Sequence, residues 1–536
     1  MRTFHCSSVT DVTVASQQES PTSTPLLEKT DVVAVGNGPS ALTLSFLLNG
    51  NWPYYDGQHP DEVLHARLSH EKEQSIIEMD FAELCADISG QSRNAVANLF
   101  DQLLHPSSGF GDVNLQSCVS WKPVAAKIPH LILGPDQPGG AWQKMHGNKK
   151  ALSFNNWLEL PGLPVAEWAR RKGCSRRLLD SSRLPLCAWK AYYRDYPIHV
   201  GIEDNLRLGY HVTSVRHLKI PHSNEETGEY DELTKEEGSS FVEEGDEEYP
   251  WEIRGIRSIP ESDVTEEFLI HAKKVVLATG TAENPKQLNI PGEFKSWTGH
   301  TYDDLHNYVV EHSIVDDEGK TEVDSDLAET DGLDGKRCWN RVLVVGSGLT
   351  AADAVMKALN AGCHVYHLFN TKHSVLAQLS DRLYPEYSAV WKMMIGERPS
   401  GVCGYYTPFA NGRINRIMHD HRVSVENAKG VAITLEAIDY VSILIGSAPT
   451  LGYVQAEISR TLPVKAGQPL DAKRNPVAID QLTHECFYQP GMFALGPLCG
   501  DNYVRFIPGG AVAVAKCLFD QQRNVMTTAE RDVLSR

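Results

Sequence analysis

The feature that most constrains this chain is a short apolar run that leads directly into a glycine-rich turn. Residues 32–35, Val-Val-Ala-Val, are typical of a buried parallel strand. G-x-G-x-x-A follows at 36–41, and an apolar helical pattern then continues through Leu48. Gly36 permits the tight turn, and Gly38 lets the backbone approach a pyrophosphate at the helix N-terminus. The pattern predicts a dinucleotide-binding unit. The residues assigned to this turn are Gly36, Gly38, Pro39, Ser40 and Ala41.

The same pattern occurs again in the second half of the chain. An apolar strand at 341–345 enters G-x-G-x-x-A at 346–351 and then a helix, and the next strand is 364–369. No carboxylate follows that strand to hold a ribose 2′-hydroxyl, whereas Lys372 suits a 2′-phosphate, which favours NADPH over NADH. A solvated loop lysine is the alternative for Lys372. The residues assigned to this second site are Gly346, Gly348, Leu349, Thr350 and Lys372.

Two such turns predict two nucleotides, FAD at the first and a nicotinamide nucleotide at the second, with hydride passing between them. The next good strand after the first helix is 130–133, so the segment 57–127 is interpreted as a largely helical insertion. The acidic residue that holds the FAD ribose should follow that strand, and we assign Asp136. Asp56 has the expected spacing but lies on the wrong kind of segment, and both aspartates can equally be ordinary loop residues.

The expected fold class is α/β, with two Rossmann-like domains and the NADPH domain inserted into a discontinuous FAD domain. Much of the net charge of −19 lies in one segment, because residues 225–248 hold twelve acidic residues and one lysine. The sequence has no stripe of basic residues, so nucleic-acid binding is not expected. No run of apolar residues is long enough to span a membrane. The expected boundaries are a disordered tail at 1–28, FAD-binding segments at 29–290 and 451–536, an NADPH-binding segment at 291–450, and acidic loops at 223–249 and 311–334.

The C-terminal segment is predicted to return to the flavin. A strand ending at Leu495 leads through a polar loop and two glycines into an apolar helix, whose N-terminus suits the pyrimidine edge of a flavin. A plain amphipathic helix is the alternative. The residues assigned to this edge are Gly496, Asn502, Arg505 and Gly510.

Several longer motifs carry a resemblance to known families. Gly139-Gly-Ala-Trp142 and Phe294-x-Ser-x-x-x-His300 are similar to segments of class B flavin-dependent monooxygenases, although Ser296 replaces their glycine. The motifs at 35–40, 128–134, 138–142 and 157–164 more closely resemble the oxidative stress-induced growth inhibitor family. That resemblance implies an FAD- and NADPH-dependent monooxygenase-like protein linked to growth restraint and oxidative-stress responses, with mitochondrial or nuclear association.

The resemblance also implies roles for particular residues. Gly140 and Trp142 would lie near the flavin, and His146 stands where flavin-containing monooxygenases carry a catalytic asparagine, with Asn148 close by. His146 can donate a hydrogen bond there, or it can be a surface-turn residue. His300 is expected to support a turn rather than perform chemistry.

The cysteines narrow the reaction class. The chain has 11 cysteines but no C-x-x-C pair, so a disulfide reductase is disfavoured and an intracellular, reducing location is expected. The expected reactants are an unknown small molecule and molecular oxygen. Two alternatives stay open: a regulatory flavoprotein that senses redox state through protein partners, and an NADPH oxidase that releases peroxide.

Overall fold

A computed structural model describes residues 26–70, 73–106, 116–145, 149–174, 182–219, 248–259, 264–281, 284–312, 340–371, 375–397 and 405–534. Three predicted site residues, His146, Asn148 and Lys372, lie outside these ranges, as do nearly all of the predicted tail and both acidic loops.

The described chain contains seventeen strands. They are β1 Leu27–Val35, β2 Asn51–Tyr55, β3 Val119–Pro123, β4 His130–Gly134, β5 Leu206–Leu208, β6 Tyr210–His217, β7 Trp251–Ser258, β8 Thr265–Leu277, β9 Thr298–Gly299, β10 Arg341–Val345, β11 His364–Phe369, β12 Tyr406–Ala410, β13 Arg413–Ile417, β14 Val423–Glu426, β15 Ala432–Leu435, β16 Tyr440–Ile443 and β17 Met492–Ala494.

Eleven α-helices accompany these strands in the same residue ranges. They are α1 Pro39–Leu48, α2 Glu62–Ser69, α3 Phe81–Leu84, α4 Ala95–Leu104, α5 Val165–Arg171, α6 Leu186–Val200, α7 Tyr302–His312, α8 Leu349–Asn360, α9 Pro385–Met394, α10 Ala456–Ser459 and α11 Ile507–Leu534.

The first sheet has seven strands, and β1 lies at its centre. Strands β5, β4, β1 and β8 are neighbours and parallel, and β6 and β7 continue from β8 as an antiparallel meander. The long strand β8 has two partners on one edge, because its first half pairs with β7 and its last three residues pair with β17. The strand nearest the end of the described chain therefore completes the sheet that the first strand begins.

The second sheet lies between these two contributions in sequence. Its five strands are parallel in the order β12-β11-β10-β16-β9, and a small antiparallel sheet of β13, β14 and β15 joins β12 to β16. The predicted fold class is confirmed. One mixed and one parallel α/β sheet each contain a strand that leads into a glycine-rich turn, and the second sheet interrupts the first in sequence.

Two details differ from the sequence prediction. The first strand after α1 was expected at 130–133, but β2 precedes it and pairs antiparallel with β3 far along the chain. Trp52 and Tyr55 bury their rings there, and the partner strand cannot be recognised from local sequence. In addition, β1 begins at Leu27, inside the predicted tail, because Leu27 and Glu28 pair with β8.

The segment between β2 and β3 is built around helices α2, α3 and α4. Helix α4 packs on α11 and shares a hydrophobic core with α1 through Leu99, Phe100 and Leu47. Among the described helices, none combines the length and the apolar character needed to cross a bilayer.

Candidate nucleotide sites

The two glycine-rich turns have the same local geometry. Gly36 and Gly346 adopt φ of +109° and +148°, which disfavours residues with a side chain. A Cβ on Gly36 would lie 2.5 Å from the carbonyl oxygen of Ala278, and one on Gly346 would lie 2.3 Å from that of Leu444. In both units this oxygen belongs to the residue directly after the neighbouring parallel strand. Glycine is therefore required at both positions by backbone conformation and by space.

The second glycine of each turn has free space beside its Cα. Gly38 and Gly348 are the N-cap residues of α1 and α8, and neither helix has a side-chain cap. A Cβ on either glycine would meet nothing within 4 Å. The first N–H groups of both helices are thus available to an anion, as a dinucleotide pyrophosphate requires. The residues present fit one nucleotide at each turn.

The first turn is held from behind by Asn37, which the sequence analysis did not select. Its side-chain amide donates to the carbonyl oxygen of Asp136 at 2.6 Å, and its own carbonyl accepts the N–H of Gly139 at 2.9 Å. Gly140 lies directly against Gly38, because a Cβ on Gly140 would be 3.1 Å from the Gly38 Cα. The loop after β4 and the Gly-Gly turn therefore form one wall of the first site.

The side chain of Asp136 is not held tightly in that site. Its carboxylate is about half exposed and forms an ion pair with Lys144 at 3.1 Å. Its position after β4 agrees with the predicted ribose contact, which stays a prediction.

Trp142 is supported by a cluster of buried aromatic residues. Its ring lies 5.2 Å from that of Tyr193 on α6. Tyr193, Tyr192 and Tyr196 donate their hydroxyls to the backbone carbonyls of Leu158, Leu163 and Pro161, so one helix fixes the Trp-Leu-Glu-Leu-Pro-Gly-Leu-Pro loop. The aromatic cluster and this loop give Trp142 a rigid backing.

The C-terminal glycines serve close packing. A Cβ on Gly496, whose φ is +64°, would lie 2.5 Å from the Ser40 hydroxyl in the first turn of α1. A Cβ on Gly509 would lie 2.3 Å from the carbonyl oxygen of Val96, and one on Gly510 would lie 2.8 Å from the ring of His484. The segment that is predicted to line the flavin edge is therefore packed closely between α1 and α4. Asn502 lies in the same loop and donates to the carbonyl oxygens of Gly500 and Ala472.

Arg505 is the charged residue of this edge. Its Nε and Nη2 each donate to one carboxylate oxygen of Asp101 at 2.6 Å, and the indole of Trp157 lies 4.2 Å from the guanidinium carbon. His105 contacts the same carboxylate at 3.0 Å. Burial would raise the pKa of Asp101, but the bonds from His105 and Arg505 outweigh it and hold the pKa below its usual value.

A second buried acid, Asp501, lies four residues before Arg505 in the chain. It accepts hydrogen bonds from Ser92 and from the side-chain amide of Asn94 at 2.8 Å, and burial raises its pKa to about 7 despite these bonds. His484 and Cys499 lie beside it, with the three ligand-type atoms within 4.8 Å of one another. The Cys499 thiol donates to the carbonyl oxygen of Gly496 at 3.2 Å. His484 Nδ1 lies 3.2 Å from the carbonyl oxygen of Ala494, whereas its buried Nε2 has no hydrogen-bond partner in the described structure.

In the second turn, His367 of β11 is fully buried behind Gly346. Its Nε2 lies 2.8 Å from the Gly346 carbonyl oxygen, and its Nδ1 lies 2.8 Å from the Tyr406 hydroxyl. These partners fit a neutral ring that donates from Nε2 and accepts at Nδ1. Burial lowers the pKa of His367 to about 4, although the bond to Gly346 opposes the shift.

This histidine gives a testable pH dependence. Its folded-state pKa lies below the ordinary value of 6.5, so the unfolded chain binds more protons between pH 6.5 and 4, and stability falls as the pH falls through this window. We expect His367→Gln to reduce the pH dependence of the unfolding free energy by about 1.4 kcal/mol per pH unit there. Urea unfolding at pH 6.0 and 5.0 measures this, with the exposed His211→Gln as control. An unchanged slope in His367→Gln would contradict the prediction.

Among the described residues, two ion pairs join the units that carry the two turns. The Lys149 ammonium lies 2.7 Å from the carboxylate of Asp353 on α8 and 3.7 Å from the ring centre of Tyr302. Arg183, which is buried, donates to Glu386 and to the carbonyl oxygens of Leu383 and Ala151. The segment after the Gly-Gly turn is therefore attached to helices α8 and α9 of the second unit.

His300 of the monooxygenase-like signature holds a turn between the units. Its Nε2 lies 3.0 Å from buried Glu293, whose other carboxylate oxygen accepts the N–H of Asn289 at 2.6 Å. Its ring also stacks on Phe294. These contacts agree with the supporting role expected for His300.

The structure brings Gly140 and Gly496 next to the first turn, at Gly38 and Ser40 respectively. Leu349 is half-buried and Thr350 is exposed in the first turn of α8, beside the open Gly348. Four residues described above were not predicted from the sequence: Asn37, Asp101, Glu293 and His367. Asn37 could have been found from its place between the two turn glycines. The others depend on partners that are distant in sequence.

Comparisons with known proteins agree with this architecture. Residues 205–398 match the family model of pyridine nucleotide-disulphide oxidoreductases. The chain is 35% identical to human oxidative stress-induced growth inhibitor 2 over 93% of its length and 95% of that protein, and 35% identical to mouse oxidative stress-induced growth inhibitor 1 over 92% and 96%. A bacillithiol disulfide reductase from Bacillus cereus shares the fold, with a TM-score of 0.52, 14% identity, and coverage of 92% of this chain and 100% of that one.

Proposed function

Because this chain belongs to the oxidative stress-induced growth inhibitor family, we propose that it is an FAD- and NADPH-dependent oxidoreductase of the monooxygenase type that acts in oxidative-stress responses and growth restraint. The observation that carries the proposal is the repeated turn, in which Gly36 and Gly346 have the same steric requirement and Gly38 and Gly348 leave two helix N-termini open. One such turn would bind a single nucleotide, whereas two suit a donor and an acceptor of hydride.

Each part of the site has a task in this proposal. When bound, the flavin supplies the chemistry of hydride acceptance and reaction with oxygen. The N-terminus of α1 binds the diphosphate of FAD, and the N-terminus of α8 binds that of NADPH. Trp142, backed by Tyr193, excludes water from the flavin side. The Lys149–Asp353 ion pair helps to fix the position of the NADPH unit relative to the FAD unit.

A spectrum of the purified protein tests the proposal. After addition of FAD, we expect bound flavin absorbance that NADPH bleaches in the absence of oxygen. On admission of ¹⁸O-labelled oxygen, the label should enter a soft nucleophile, such as an amine or a sulfide, or a carbonyl compound. Flavin that NADPH cannot bleach, or no binding of FAD, would refute the enzymatic proposal.

Two other functions remain candidates, each on a sequence feature. His146 replaces the asparagine of flavin-containing monooxygenases, which favours an NADPH oxidase that releases hydrogen peroxide. The acidic segments favour a weakly active redox sensor that acts through protein partners. Stoichiometric peroxide without ¹⁸O incorporation would identify the oxidase. FAD binding without turnover would favour the sensor.

The choice of NADPH over NADH is tested at Lys372. We expect Lys372→Ala to raise KM for NADPH about tenfold, because one contact between lysine and phosphate contributes about 1.5 kcal/mol. KM for NADH should stay within about twofold, since NADH lacks the 2′-phosphate. The exposed Lys429→Ala serves as control. Equal effects on both nucleotides would show that Lys372 does not contact the 2′-phosphate.

A further inference from the structure

The helical segment between β2 and β3 reaches the predicted flavin edge at three points. The Gly509 backbone in the first turn of α11 lies against Val96 of α4. The residues before α4, Ser92 and Asn94, hold the carboxylate of Asp501. At the other end of α4, Asp101 receives both bonds from Arg505. Helix α4 therefore lies along the whole loop from Asp501 to Gly509.

Arg505 is held in a defined orientation by these neighbours. Its side chain is only 8% exposed. Its bonds to Asp101 use Nε and Nη2, so Nη1 takes no part in this ion pair. The neighbouring residues Val504 and Ile507 belong to the same apolar cluster as Trp142 and Leu42 of α1. Residues of the Gly-Gly turn, of α1 and of the C-terminal loop thus meet at this cluster, and Arg505 lies at its border.

We propose that Asp101 is a positioning residue for the flavin: it aligns Arg505 at the pyrimidine edge and offsets its positive charge, and thereby sets the reduction potential of the bound flavin. This inference rests on the proposed function, because it requires bound FAD. A cation near the pyrimidine edge stabilises reduced flavin, which carries more negative charge there, and the carboxylate of Asp101 weakens this effect. Asp101 acts through Arg505 and does not itself contact the cofactor.

His105 must be controlled in any test. Its Nδ1 faces Asp101, and its Nε2 lies 2.9 Å from the carbonyl oxygen of Asn156, so both ring nitrogens face acceptors. Replacing Asp101 would also remove the partner of His105 Nδ1 and so change the hydrogen bonds of this ring. We therefore compare all variants in the His105→Gln background at pH 8.

The experiment measures the midpoint potential of added FAD by equilibration with a reference dye during anaerobic enzymatic reduction. We expect Asp101→Asn to raise the ratio of the affinities for reduced and oxidised flavin about tenfold, which is about 30 mV for a two-electron couple. Adding Arg505→Gln removes the uncompensated cation and should return the potential toward that of the background. Restoration by a second substitution is not expected from a purely structural role.

The matched control is Glu252→Gln. Glu252 is also buried and paired with arginines, but it lies in the meander strand β7, opposite His271 and away from the end of β8 that faces the turn. If the Asp101→Asn variant does not fold, Arg505→Gln in the same background serves instead: it removes the cation, leaves the carboxylate of Asp101, and should lower the potential of the flavin by a similar amount.

The outcomes separate the two proposals. Flavin that binds with a potential unchanged by Asp101→Asn, within twofold in the affinity ratio, overturns this inference and leaves the proposed function intact. Failure of the unsubstituted protein to bind FAD overturns both.

Discussion

Valine in place of Gly36 is expected to abolish flavin binding, and valine in place of Gly346 to abolish NADPH binding. Each substitution places a Cβ within 2.5 Å of a backbone carbonyl oxygen at a positive φ, so the turn must open and the helix N-terminus must move. We expect each Kd to rise more than about 100-fold, which is about 2.7 kcal/mol of binding free energy. Flavin fluorescence and NADPH titrations measure the two affinities separately.

The two variants act as controls for each other. Gly36→Val should retain NADPH binding, and Gly346→Val should retain flavin. Gly452→Val tests the general tolerance for valine, because Gly452 is exposed and a Cβ there would have no atom nearer than 4.0 Å. NADPH-driven bleaching of flavin in Gly346→Val would show that the second turn does not bind the nicotinamide nucleotide.

Alanine in place of Gly509 is expected to destabilise the protein by about 2–3 kcal/mol. This is expected although the helix propensity of alanine is more favourable than that of glycine by about 1 kcal/mol. The new methyl group would lie 2.3 Å from the Val96 carbonyl oxygen and 2.5 Å from the Ala97 Cα, and backbone atoms cannot rotate away. Thermal and urea unfolding measure the change, and flavin affinity should fall with it.

The sign of this change is decisive. Helix propensity acting alone would stabilise Gly509→Ala, whereas the close approach of α4 predicts the opposite. Gly57→Ala is the control, because its nearest atom, the Cys118 Cα, lies at an ordinary contact distance of 3.4 Å. A stabilised Gly509→Ala would mean that α4 is not packed as closely on α11 as the structure places it.

The parts of the fold that local sequence specifies were predicted well. The strands at 341–345 and 364–369 have the predicted bounds, because apolar runs and turn residues determine both. The glycine turns were recognisable for the same reason, since the conformational requirement lies within six residues. The fold class followed from finding this unit twice.

The rest depends on contacts between distant residues. Strand β2 is stabilised by β3, and Asp101 is recognisable as part of a site only because Arg505, 404 residues later, binds it. The neutral state of His367 likewise follows from burial against Gly346 and Tyr406. Such pairs are set by tertiary packing, which periodicity does not encode.

The position of β17 beside β8 has a consequence for synthesis on the ribosome. All strands of the second sheet precede Met492, whereas the first sheet and the packing of α1 await β17 and α11. During translation the second unit can therefore acquire its native structure before the first unit, which emerges earlier. Until then, the apolar surfaces of α1 and β8 lack their final partners. A nascent chain halted before Met492 should thus resist protease in its second unit and expose the first to chaperones.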